Sequence, residues 1–234
     1  AQSEVDLSLY AERFLEHRFD LLGSGWSEVA YGVRCPGMGP WRYHRPGIAP
    51  TAHGRGLERV VTPTNISRSR EIWSHIKHPY RPIDWQLDFK SGYRWSSKTW
   101  YMDIEVGCPP GADVKVPWEL GRLQHLPRMA LAFVAKLSSS TCESGEAEQI
   151  LDEIRNQILD FIATNPPRFG VQWRSTMDVA IRAVNILVAW DLIRACGAEL
   201  GAEIDEIVSR SVREHGRHIV ENFQRYDFGR SNHF

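Results

Sequence analysis

Asp113-Val114-Lys115-Val116-Pro117-Trp118-Glu119-Leu120-Gly121-Arg122-Leu123-Gln124-His125-Leu126-Pro127-Arg128 is the stretch on which the fold turns. Projected at roughly 100° per residue, Leu120, Leu123, Leu126, Met129, Leu131, Phe133 and Val134 cover more than half of a helical cylinder, which marks a mostly buried helix. Pro117 and Glu119 suit a first turn, where a missing N–H costs nothing and a carboxylate meets the positive helix end. The pattern predicts a helix from about 113 to 136, kinked where Pro127 removes the bond to Leu123. Gln124, His125 and Arg128 share the remaining sector, and Arg122 falls among Trp118, Met129 and Phe133. Each alone reads as a satisfied core polar group; together on a buried helix they read as the lining of a cavity or cleft.

The segments that follow repeat the theme with alternation. Residues 146–163 carry one apolar face (Ile150, Leu151, Ile154, Ile158, Phe161, Ile162) and read as an outer, half-exposed helix ended by Asn165-Pro166-Pro167. Residues 174–195 are apolar nearly all round except for Asp178, Arg182 and Asn185. Asp178 and Arg182 are spaced to pair along the helix, and the stripe is expected to face a polar cavity, because burying such a pair in hydrocarbon is costly. Residues 203–224 are amphipathic again. Their His215 and His218 have no third ligand and are read as structural, so no metal site is assigned. Inner, outer, inner, outer is what two concentric layers of antiparallel helix pairs require. The fold expected is therefore all-α, an incomplete α/α toroid, and not a four-helix bundle.

Upstream the pattern is looser. Residues 4–22 have helical spacing up to Gly23, residues 23–63 form a long Gly/Pro-rich excursion, and 71–76 make one short helix before Pro79. Residues 83–104 hold six aromatics, which either present flat faces to sugar rings or plug one end of the helical domain. The chain is accordingly divided into an irregular N-terminal region, 1–79, and a helical domain, 80–234. A net charge of −1 argues against a nucleic-acid or membrane-surface partner, and no apolar run of about 18 residues predicts a membrane span. Arg outnumbers Lys 23 to 5, which suits anion recognition and equally reflects composition bias. The four cysteines form no Cys-x-x-Cys pair.

Four separated motifs carry a resemblance. Ile83-Asp84-Trp85, Val116 to Leu126, the run Asn165-Pro166 … Gly170 … Trp173 … Met177 … Ala180-Ile181-Arg182-Ala183, and Asn232-His233 occur in the order seen in heparinase II/III-like polysaccharide lyases, a group that includes exolytic alginate lyases. The resemblance covers roughly residues 80–234. It implies a toroid followed by a β-sandwich domain absent from this chain, with the substrate cleft between them. It also implies β-elimination of an acidic, uronate-containing polysaccharide: the C6 carboxylate is neutralised, the C5 proton is removed and the C4–O bond breaks. Asn232 and His233 match the catalytic positions, with His233 also the base. Gln124, His125, Arg182, Arg122 and Arg128 would bind substrate or support the site. These residues require no cofactor, and a structural metal would belong to the missing domain. The family's catalytic Tyr lies past the Asn-His pair and has no counterpart here, so the chain is expected to be a fragment that holds part of the cleft and does not turn over alone. A polysaccharide substrate favours a periplasmic or secreted location.

Two rival classes remain. A carbohydrate-binding or surface-polysaccharide assembly protein of the same fold needs no acid or base. A hydrolase needs two carboxylates flanking the scissile bond, and Asp178 (paired) and Glu119 (at a helix start) do not supply them.

Overall fold

A computed structural model describes residues 2–43, 47–107, 109–138 and 144–223. In chain order its helices are α1 (Gln2–Leu15), α2 (Leu57–Val60), α3 (Ile66–Trp73), α4 (Lys115–Gly121), α5 (His125–Ser138), α6 (Ser144–Thr164), α7 (Thr176–Ala195) and α8 (Ala202–Glu221). Two short strands, β1 (Arg18–Phe19) and β2 (Ser27–Glu28), pair antiparallel with Arg18 opposite Glu28. The protein is mainly helical, as its periodicity predicts. None of the described helices is long and apolar enough to cross a membrane.

Side-chain bonds fix the order of the helices. His125 at the start of α5 meets Gln157 late in α6, while Lys136 near the end of α5 meets Glu146 early in α6, so the two run antiparallel. Thr176 bonds to Asn222 and Arg182 to His215, which makes α7 and α8 a second antiparallel hairpin. Arg122, just before α5, reaches Asp178 in the first turn of α7. The two hairpins therefore stand side by side with α5 and α7 starting at the same rim, and α1 packs on the other flank of α5.

Several expectations are corrected. The first helix stops at Leu15, not at Leu22: His17 takes a left-handed backbone (φ 52°), and the chain turns into β1 to bury Phe19. The 113–136 helix is two helices. It breaks at Leu123 (φ 55°), and Pro127 sits third in α5, where a helix has no internal use for its N–H. The predicted outer helix, α6, is in its second half the more enclosed one. Its Asn156 and Asp160 are buried because they accept from the backbone N–H groups of Lys77 and Ile83 in the extended segment laid across them. The all-apolar α7 instead exposes Met177, Val184, Leu187 and Val188 along one side.

The aromatic stretch 83–104 is a plug. Trp85, Phe89, Trp95 and Tyr101 are buried, and only Trp100 and Met102 turn outward among its large apolar side chains. One apolar core includes Phe14, Leu57 and Ile72 together with Leu120, Ile158 and Ile186, so residues 1–79 and 80–223 do not fold around separate cores. Burying these side chains is worth about 1.5–3 kcal/mol each before the cost of ordering the chain.

Candidate functional site

The site begins with the helix break. Where α4 gives way to α5, the carbonyls of Gly121 and Arg122 lose their helical partners, and a buried carbonyl without a donor is costly. The polar stripe of α7 supplies the donors. Arg182 Nη1 donates to Gly121 O at 3.0 Å and Asn185 Nδ2 to Arg122 O at 2.8 Å. Asp178 Oδ1 accepts from Arg122 Nε at 2.5 Å. The three residues expected to face a polar cavity face the unwound turn of the neighbouring helix instead. Asp178 is thus paired with Arg122 and not, as its spacing predicts, with Arg182.

Arg182 is fully buried, and each of its nitrogens is engaged. Besides Gly121 O, Nη2 donates to Gln172 O at 2.9 Å and Nε to His215 Nε2 at 2.9 Å. The guanidinium lies 4.6 Å from the Phe161 ring centre and 5.5 Å from that of Trp173. Among the described residues no carboxylate bonds to it, and burial pushes its pKa down to about 9 against the pull of Asp178. His215 accepts at Nε2; its proton is therefore on Nδ1, which bonds to Ser211 O at 2.7 Å. Burial, and then the neighbouring Arg182, hold that imidazole neutral with a pKa of about 3.

Around Arg182 the separated motifs interlock. Gln172 Nε2 donates to Trp85 O and, at 2.8 Å, to Pro117 O. Gln86 Nε2 donates to Asn165 Oδ1 at 2.6 Å, and its Oε1 accepts from Val171 N at 3.1 Å. Trp173 Nε1 closes the knot on Asn165 O at 3.0 Å. Gly121 is required where the chains approach: a Cβ there would lie 1.7 Å from Gln172 Oε1. Nothing in the sequence singles out Gln86 or Gln172, because an amide that bridges two backbone segments has no local signature.

The other expected residues are dispersed. Arg122 is half-buried and also pairs with Glu119, which is more open to solvent than Asp178. Gln124 is exposed at the break, and exposed Arg128 turns towards the Tyr10 ring on α1 at 5.1 Å. His125 is buried, its Nε2 donating to Gln157 Oε1 at 2.7 Å, and burial lowers its pKa to about 3. Gln124, His125 and Arg182 therefore do not open onto one hollow; His125 and Arg182 support the rim from within. Asn232 and His233 lie outside the described residues. Among the described residues no group of three or more His, Cys, Asp or Glu is arranged to hold a metal ion.

Comparison with protein-family models, with curated proteins and with solved structures returns no match to this chain.

Proposed function

We propose that this chain is the helical part of a protein that binds an acidic, uronate-containing polysaccharide and cleaves it by β-elimination. In this reading the α5/α6 and α7/α8 hairpins are consecutive turns of an incomplete α/α toroid. The observation that supports it is the polar knot. The segments at 83–85, 116–126 and 165–183, which carry the resemblance to heparinase II/III-like lyases, bond to one another at the rim where α5 and α7 begin. In this reading these segments, far apart in sequence and joined by buried hydrogen bonds, form the floor of one site.

Elimination needs donors on the C6 carboxylate, a base for the C5 proton and an acid for the leaving oxygen. Asn232 and His233 are assigned to the carboxylate, and His233 also to the proton. Arg122, Gln124 and Arg128 are the rim donors for further carboxylates of the polymer. A substrate carboxylate at Arg122 displaces Glu119, the more exposed partner, and leaves the buried Asp178 bond in place. Arg182 and His125 act as positioning residues. The leaving-group acid is not among the assigned residues.

A second reading, a carbohydrate-binding or polysaccharide-assembly protein without catalysis, is favoured by the burial of His125 and Arg182, which removes two of the expected polar groups from substrate contact. Incubation of the full-length protein, of which this chain is read as the helical part, with a panel of uronate polymers separates the two. Absorbance of an unsaturated product, lost in His233→Ala at unchanged thermal stability, supports cleavage. Binding without absorbance supports the second reading. Neither binding nor absorbance with any uronate polymer overturns both.

A further inference from the structure

Between α3 and α8, over the last turn of α6, lies a groove of about 350 Å³, large enough for a small ligand. Each wall is one stripe of a helix. Asn65, Arg68, Ser69 and Ile72 are spaced i, i+3, i+4, i+7 along α3 and its cap, and Ile207, Arg210, Ser211 and Glu214 repeat that spacing on α8. The floor is apolar: Ile72, Phe161, Trp173 and Ile207 are each buried.

Two buried hydroxyls on these walls are unspent. Ser69 is 3 % exposed and Ser211 8 %, yet neither Oγ makes a hydrogen bond among the described residues. The little surface each keeps is turned to the groove. A buried hydroxyl is normally satisfied, and one left bare costs free energy that a ligand's polar atom recovers. The other buried polar side chains of the lining are already used: the Asn165 amide bonds to Gln86, Phe161 and Thr164, and the His215 nitrogens to Arg182 and Ser211 O. The charges at the rim leave one cation over. Arg68 is paired with Glu71, and Glu214 with Arg217 at 2.9 Å. Arg210, next to Ser211, is exposed and has no carboxylate partner among the described residues.

We propose that this groove is a binding site for an aromatic carboxylic acid of hydroxycinnamate size. A flat ring suits a floor made in part of the Phe161 and Trp173 rings. The ligand's oxygens meet the Ser69 and Ser211 hydroxyls, and its carboxylate reaches Arg210. None of the rim donors assigned to the acidic polysaccharide, Arg122, Gln124 or Arg128, lines the groove, so either assignment can fail alone.

The test is calorimetric titration of the full-length protein with 4-hydroxycinnamate, with its neutral amide and with octanoate, a flexible acid of similar size. The expected result is saturable binding of 4-hydroxycinnamate, with the amide about threefold weaker, the scale of one exposed charge pair. In Arg210→Gln the acid and the amide should bind alike, which ties the carboxylate to that side chain. Ser69→Ala and Ser211→Ala should each weaken the acid about fivefold, the loss of one hydrogen bond. All three variants remove groups that have no partner in the free protein, so thermal melts should show the fold intact. Galacturonate should not compete. The proposal is overturned by no saturable binding, by equal affinity for acid and amide in the unaltered protein, or by a preference for the acid that survives Arg210→Gln. Unchanged affinity in either serine variant, octanoate binding as tightly, or displacement by galacturonate also overturns it.

Discussion

Replacing Arg182 by Met keeps an unbranched apolar stem and removes every donor at the centre of the knot. Three buried acceptors, Gly121 O, Gln172 O and His215 Nε2, are then orphaned. Each costs about 1–3 kcal/mol. The ring contacts to Phe161 and Trp173 add about 0.5–2 kcal/mol, while relief from burying an unpaired guanidinium returns part of the sum. The net loss expected is about 3–5 kcal/mol, which for a chain of this size lowers Tm by about 6–20 °C. Arg182→Lys should do no better. Its compact ammonium cannot span three acceptors and is more strongly hydrated than the guanidinium it replaces. Urea unfolding followed by circular dichroism measures both variants, and an unchanged m-value guards the comparison. A loss below about 1 kcal/mol in Arg182→Met would refute the claim that this side chain satisfies the helix break.

Gly121→Ala should cost about 2–3 kcal/mol by driving a Cβ into Gln172, whereas Gly216→Ala, with nothing within 4 Å, should gain up to about 1 kcal/mol from helix propensity; paired thermal melts compare them. His125 is buried neutral, its pKa depressed from 6.5 to about 3, so its contribution is complete above pH 6.5 and is lost as pH falls towards 3. His125→Gln should therefore flatten the pH dependence of unfolding free energy between about pH 4 and 6 by about 1.4 kcal/mol per pH unit. Asp160 has the opposite sign. Burial raises its pKa from 3.8 to about 7, so its contribution is complete below 3.8 and fades as pH rises towards 7; Asp160→Asn should make the stability profile climb more steeply across that window.

The helices from 144 onwards were legible because each carries its own 3.6-residue period, and the stops at Thr164 and Ala195 because Pro166 and Gly197 follow two residues on. The unusual α7 stripe was legible as a set of polar groups needing partners. What it faced was not, since nothing in Asp178, Arg182 and Asn185 says that the neighbouring helix unwinds at Leu123. The same holds for α6. Its charged and polar positions read as a solvated face, and three-dimensional packing turned Asn156 and Asp160 into acceptors for the backbone N–H groups of Lys77 and Ile83. His17 drew no notice, because a backbone reversal and a carboxylate 136 positions away are invisible locally. By itself, then, the sequence determined the spans of the three long helices from residue 144 on and which groups demand a hydrogen bond, both consequences of short-range geometry. Only the tertiary structure decided which acceptor answers each donor, because that choice depends on how two helices, one of them broken, come to lie against each other.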